Sequence, residues 1–371
     1  MFGPKHYVPI LRWKQAERLA LKELLKDDRK MITPLIEITP KVFEAPKTGR
    51  REGKKPDPAR VLEDQAKNLL ESWENAPLFL DLSLIDALVP PINGVRHPLA
   101  HIAETARSYR LCIVPVTGPN RSNEYQSAVS EMAHLDRRGI CLRLLTKELL
   151  QSGFAQKVRS LLKKFQLDES NVDLLLDYQT FDPQNPEVKD LLGRIPNLRD
   201  WRSLTVASGA FPPDLQKREL GSSRISRDDW LSWKGQFFDE TSIQRRASFS
   251  DYTIQYGLYK EPVEHCIPSV SVRYTLENEW LIMRGEAPPS KKAISRNAEG
   301  RPGLEQWYGH AQLLCENDDA FYGENFSWGD AFIYKKSGRK GKPGSYEIWL
   351  RAGINHHMTV VSRQIANLAG P

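Results

Sequence analysis

The chain predicts an α/β fold: a (β/α)8 barrel of the TIM type with a C-terminal β-rich insertion ahead of its closing helix. Three observations carry this. Short continuous apolar runs alternate with amphipathic stretches over the first two thirds of the sequence, the pattern of parallel strands covered by helices. Seven or eight such units can be counted, which favours a closed barrel over an open doubly wound sheet. The length of 371 residues suits one such barrel with an addition. The expected organisation is a barrel over 1–257, a hairpin-and-helix insertion over 258–352 and a closing helix over 353–371.

The elements follow in order. YVPILR (7–12) is the first apolar run, followed by the helical stretch 14–27. MITPLIEI (31–38) is the second, and after a basic loop rich in Pro and Gly comes a helix over 57–74. PLFLDLS (77–83), LCIVPVT (111–117), GICLRLL (139–145), VDLLLDYQ (172–179) and WRSLTVAS (201–208) continue the series. Helical stretches near 98–109, 123–138, 147–165, 186–195 and 227–238 separate or follow them, and DYTIQYG (251–257) is expected as the eighth strand. Beyond it the pattern changes. PSVSVRYTLENEWLIMRG (268–285) alternates apolar and polar residues around LENE, as a hairpin does. A loop is expected over 287–303 and a helix over 303–317. FSWGDAFIYKK (326–336) and SYEIWLRA (345–352) read as two strands, and GINHHMTVVSRQIANL (353–368) as the final helix.

The net charge of +6 permits an anionic partner without demanding one. Basic residues cluster at 47–55, at 291–292 and at 335–342. These are solvated loops or contacts to phosphate. No G-x-G-x-x-G follows the first strand and no G-x-x-x-x-G-K-[ST] occurs, which argues against a dinucleotide or P-loop site. No apolar run reaches ~18 residues, and lysine and arginine interrupt the N-terminus, so the expectation is a cytoplasmic protein with no membrane partner. Cys112, Cys141, Cys266 and Cys315 show no C-x-x-C spacing and read as buried thiols.

In such a barrel the functional face is where strands end. The strand ends offer Arg12 and Lys14, then Glu37, Asp81, Arg143, Asp177 with Gln179, Ser208, and finally Gln255 with Tyr256. Glu37, Asp81, Arg143 and Asp177 each break an apolar run, which is costly unless the charge is paired or used. If the strands form one barrel, these four meet at one mouth. They would then make a structural ion-pair network, hold a divalent cation, or act as general acid and base. Asn355 looks like an N-cap, with His356 and His357 as the first helical residues. Free N–H groups there would suit a phosphate, with a histidine as proton donor; alternatively the pair only caps the helix. Metal ligation by the pair is disfavoured, because helical metal pairs prefer i, i+4 spacing. Trp230 and Trp233 share a helix face and read as core. Arg273, Tyr274 and Arg284 on the hairpin could stack on bases or simply line a sheet.

Five blocks together resemble the Beta-protein family of bacteria and phages: YVPILRWKQAERLAL, PLIEI, FSDYTIQYG, SVRYTLENEWLIMRG, and ENFSWGDAFIYKK with WLRAGINHHMTVVSRQIA. The resemblance covers nearly the whole chain and is most specific at its C-terminal end. It implies a soluble single-chain protein carried on phages and mobile or defence-related gene clusters, hence a role in phage–host conflict and antiviral defence. It transfers no catalytic residue.

Two functions fit these readings. In the first, the mouth binds a phosphate-containing ligand, nucleotide or nucleic acid and hydrolyses a phosphodiester. Glu37, Asp81 and Asp177 would then act as metal ligands or acid and base, while Arg12, Lys14, Arg143 and the His356/His357 helix start neutralise phosphate. In the second, the chain is a non-catalytic module that binds nucleic acid or a protein partner subunit through the hairpin, Trp328 and the basic loops.

Overall fold

In the computed structural model, residues 2–45, 53–184, 186–239, 243–261, 267–289 and 302–368 are described. Residues 47–52 of the first basic cluster, the lysines at 291–292 and Cys266 lie outside them.

The barrel is present. Its strands are β1 (Ile10–Arg12), β2 (Leu35–Glu37), β3 (Leu78–Asp81), β4 (Ile113–Thr117), β5 (Ile140–Leu145), β6 (Val172–Asp177) and β7 (Ser203–Ala207). β8 (Gly221–Ser226) leaves the barrel, and β9 (Ser248–Ser250) completes it. All eight barrel strands run parallel in the order β1-β2-β3-β4-β5-β6-β7-β9. The ring closes through Tyr7, which bridges Phe249. The Val8 and Ile10 amides donate to the carbonyls of Phe249 (3.0 Å) and Asp251 (2.8 Å). The eighth strand is thus Ser248–Ser250 instead of 251–257. The residues after it turn sharply, because the Asp251 carboxylate accepts from the Thr253 amide (2.9 Å) and Thr253 takes a left-handed conformation.

A second sheet, β10 (Ser271–Thr275), β11 (Glu279–Arg284) and β8, is antiparallel. The hairpin around LENE is as expected. Its third strand is not, since Gly221–Ser226 is polar and exposed on most positions and carries no apolar run. Two expected strands are helices. Residues Trp328–Ser337 form a helix capped by the Ser327 hydroxyl, which accepts from the Asp330 amide (3.2 Å). Residues Tyr346–Asn367 form one long helix capped by Ser345, so the final helix starts at 346 and not at 353. Neither shows a clean 3.6-residue polarity: the terminal helix is buried on almost every side over 352–362, and the buried face of Trp328–Ser337 carries the charged Asp330 and Lys336. Gly353 explains the close fit of the terminal helix: a Cβ there would stand 2.7 Å from the Arg273 carbonyl oxygen.

Five barrel strands, β1, β2, β3, β5 and β6, alternate an inward apolar residue, an outward apolar residue and an inward polar one. Ile10, Leu35, Phe79, Cys141 and Leu175 share the inner core; Leu11, Ile36, Leu80, Leu142 and Leu176 belong to the outer layer under the helices. Two residues beyond each inner position come Arg12, Glu37, Asp81, Arg143 and Asp177. The two-residue period of a strand therefore aims all five into the same C-terminal mouth. Cys141 is buried inside the barrel as expected. No helix among the described residues is long and apolar enough to cross a membrane.

Candidate functional site: the barrel mouth

The four charges that interrupt the strands do converge. Arg143 Nη1 donates to Glu37 (2.7 Å) and Asp81 (2.8 Å), its Nε donates to Asp177 (2.9 Å), and its Nη2 donates to the Tyr252 hydroxyl (3.0 Å). The Tyr252 hydroxyl in turn donates to Asp177 (2.7 Å). Asp81 also meets Arg121 (3.3 Å) and accepts from the Ser83 amide (2.8 Å), and Asp177 accepts from the Gln179 amide (2.8 Å). Arg12 Nε stands 3.7 Å from the second oxygen of Glu37, while its Nη2 donates to the Gly257 carbonyl (2.8 Å). Three carboxylates thus face three guanidinium groups.

The three carboxylates of this cluster are buried, while its arginines reach the recesses beside it. Asp81 is 0% and Arg143 6% exposed. Burial pushes Asp81 upward, but Arg121 and Arg143 outweigh it and hold the carboxyl below its usual range. Burial pushes Arg143 downward, yet Asp177, Tyr252 and its other partners raise it well above the ordinary arginine value. The three carboxylates spend lone pairs on the Arg143 guanidinium. Among the described residues no group of three or more His, Cys, Asp or Glu is arranged to hold a metal ion. The geometry is that of a structural network. Tyr252 and Arg121 belong to it and were not singled out in the sequence; a tyrosine beside a strand end and an arginine in a polar loop give no signal by themselves.

Beside the network, on the β1/β9 side, lies a recess of about 160 Å³ lined by Arg12, Phe211, Gln255, Tyr256, Lys260 and Arg273, with the exposed Asp214 at its edge. Arg273 lies over Phe211 (5.1 Å), and its Nη1 donates to the Ile254 carbonyl (2.9 Å). It has no carboxylate partner among the described residues. Burial alone brings its guanidinium down to about 10. Lys260 lies over the Tyr256 ring, and Lys14 over Tyr259. Gly257 must be glycine: a Cβ there would stand 1.8 Å from the Gln179 carbonyl oxygen, so the two loops touch through their backbones. A further recess of about 210 Å³ near β4 and β5 contains Arg121, Arg143 and Lys147 together with Glu148.

The histidines lie elsewhere. His356 and His357 sit in the interior of the terminal helix, fully buried, and neither is at a helix start. His356 bonds Asp330 through Nδ1 (2.8 Å) and the Thr275 carbonyl through Nε2 (2.8 Å). His357 bonds Asp251 through Nε2 (2.8 Å) and the Thr275 hydroxyl through Nδ1 (2.9 Å). Asn355 is no cap: it accepts from the Gly329 amide and donates to the Ala20 carbonyl, both at 3.0 Å, tying three helices together. The pair therefore joins the barrel to the second sheet, and no ligand anion reaches it. The expectation failed because 345–352 was read as a strand, which put the helix start at Asn355. Arg284 bonds Ser269 and the Arg218 carbonyl and does not line the mouth recess. Ser208 lines a different cavity, near helix Asp228–Lys234. Trp230 and Trp233 are buried and stacked with centroids 5.4 Å apart, as expected of core residues.

No curated protein matches the chain. Among solved structures, the chain is similar to a GH138 enzyme targeting pectin rhamnogalacturonan II, at 10% identity and a TM-score of 0.36; the match covers 85% of this chain and 42% of that one. The chain thus spans about two fifths of that protein's length. The family model described as Beta protein matches residues 7–363, and the chain belongs to the Beta protein family.

Proposed function

We propose that the chain is a binding module whose barrel mouth takes a phosphate-bearing ligand, a nucleotide or nucleic-acid segment, in the recess of Arg12, Lys260 and Arg273. The observation that carries this reading is Arg273. Its guanidinium is half-buried, stacked on Phe211 and bonded only to a backbone carbonyl, so it keeps donors free for an anionic ligand. Tyr256 and Phe211 supply apolar walls beside it. The Arg143 network favours binding over phosphodiester hydrolysis, because Glu37, Asp81 and Asp177 are already engaged by arginine. Its task in this reading is to fix the strand ends that shape the recess. A cytoplasmic role in phage–host conflict, with a partner subunit supplying any chemistry, is compatible with such a module.

The test is a titration with AMP and with a short single-stranded DNA at two salt concentrations. Binding should weaken steeply with salt, and Arg273→Met should weaken it about tenfold or more while the protein stays folded. Turnover of either probe that disappears in Asp81→Asn, or binding indifferent to Arg273→Met, would defeat the reading.

A further inference from the structure

The 210 Å³ recess beside β4 and β5 presents cations to solvent and keeps its acids occupied. Asn120 and Arg121 line it from the loop after β4, and Arg143, Lys147 and Glu148 from β5 and the turn after it. Lys147 is exposed and has no hydrogen-bond or ion-pair partner among the described residues. The Arg121 side chain is 24% exposed; its Nη2 meets Asp81 at 3.3 Å and its guanidinium lies over the Tyr125 ring. Glu148 is buried, and each of its oxygens is taken at 2.8 Å, one by the Leu145 amide and one by the Asn120 side-chain amide. Asp81 is fully buried and bonded to Arg143 and the Ser83 amide as well. The two recesses of the mouth face each other across the ring. The first lies beside β1 and β9, the second beside β4 and β5, and in the order of the eight strands those pairs are opposite. Eight strands spaced about 4.8 Å apart and tilted about 36° enclose a ring roughly 15 Å across. The buried clamp bridges it: Arg12 stands against Glu37, Glu37 and Asp81 hold Arg143, and Asp81 meets Arg121. A line of alternating charge thus joins the recesses, with a cation at each end.

We propose that the two recesses are separate phosphate subsites for one single strand of nucleic acid laid across the mouth, with Lys147 and Arg121 holding the far phosphate. On the reading of the first recess as a phosphate site, on which this assignment rests, the ligand becomes a chain of several nucleotides. A mononucleotide fills one recess only. A strand stacked at about 3.4 Å per nucleotide needs about five nucleotides to cross roughly 15 Å. Two weak subsites joined through one ligand bind it more tightly than either does alone, without any new contact. An acidic peptide of the same charge would also meet the cations. The rings favour the nucleic acid: Tyr256 and Tyr259 are half-buried at the β9 side, with Lys260 over the first and Arg12 and Lys14 over the second. Rings interleaved with cations are the surface on which the bases of a single strand stack.

The experiment titrates the full chain with thymidine oligonucleotides of about one to eight nucleotides, and with uridine ribonucleotides of the same lengths to tell DNA from RNA. In at least one series affinity should rise about tenfold or more between two and six nucleotides and then level off. Lys147→Met should weaken the hexamer about fivefold or more and lower its salt slope by about 1, while leaving the mononucleotide unchanged. Arg273→Met should weaken every length. Lys67→Met, on the exposed face of the outer helix Pro58–Trp73, should change neither and controls for general charge. The proposal is overturned if neither series rises with length, if Lys67→Met lowers the hexamer as much as Lys147→Met does, or if hexaglutamate binds as tightly as the hexamer. A mononucleotide that still depends on Arg273 while length adds nothing would sink this proposal and leave the first recess standing. A mononucleotide indifferent to Arg273→Met would sink both.

Discussion

Two buried polar clusters hold this molecule together, and they are built on opposite principles. The cluster in the mouth is ionic: three carboxylates from β2, β3 and β6 clamp one guanidinium from β5, with Arg12 and Arg121 at its flanks. The cluster at the junction of the barrel and the second sheet is a relay of single hydrogen bonds, in which Asp330, His356, Thr275, His357 and Asp251 follow one another. The first ties the strands of one barrel to each other. The second ties elements distant in sequence, the turn after β9, the strand β10 and the terminal helix. A charged clamp tolerates changes in pH around neutrality but not the loss of its centre. A histidine relay depends on which ring nitrogens carry protons.

The largest expected effect is at the centre of the clamp. Arg143→Met should cost about 3–5 kcal/mol in denaturant unfolding, because it leaves three buried carboxylates facing one another. A loss below about 1 kcal/mol would mean that the carboxylates are solvated or protonated, and the contrast with the junction would collapse.

Acidification should separate the clusters next. Burial holds His357 below its ordinary value despite Asp251, and brings His6 down to about 4. The stability both contribute is complete above pH 6.5 and is lost as pH falls below it, since the unfolded chain binds those protons first. Asp229 has the opposite sign. With its carboxyl raised to about 7 by burial and Asp251, the folded state binds the extra proton, so its contribution grows as pH falls from about 7. Asp229→Asn removes that offset. Its unfolding free energy should therefore fall more steeply between pH 7 and 5 than the wild type's, by about 1–3 kcal/mol over the window. Equal slopes would refute the assignment.

Gly353→Ala sharpens the comparison at the junction. Alanine ordinarily stabilises a helix interior by about 1 kcal/mol relative to glycine. Here its Cβ would press the Arg273 carbonyl and the Ile254 side chain, each 2.7 Å away, so a loss of about 1–3 kcal/mol is expected instead. A gain in melting temperature would show that the terminal helix packs more loosely than described.

The smallest effect belongs to an exposed pair on the second sheet. Arg224 and Glu279 meet at 2.8 Å between β8 and β11 with both side chains in solvent. Arg224→Ala should move stability by about 0.5 kcal/mol or less. A larger loss would mean that surface pairing contributes measurably to holding β8 against β11.

The barrel and its mouth were legible in the chain for one reason. A charge at the end of an apolar run is conspicuous, and the strand period alone fixes the direction in which it points. Arg12, Glu37, Asp81, Arg143 and Asp177 could therefore be named, although not that arginine would saturate the acids. The histidines were also conspicuous, but a helix period is meaningful only once the helix start is known, and Ser345 was hidden inside an expected strand. The unpaired state of Arg273 was invisible, because what a side chain lacks is decided by every element around it.

By itself the sequence determined the order of strand and helix through the first seven barrel strands, and where charged residues fall along them, because both follow from local periodicity. Only the tertiary structure decided which charges neutralise each other, that β8 leaves the barrel to join the hairpin, and that His356 and His357 are buried links between two sheets. Those outcomes depend on contacts between residues far apart in the chain, such as Asp251 with His357 or Arg143 with Glu37, and no local pattern encodes the partner.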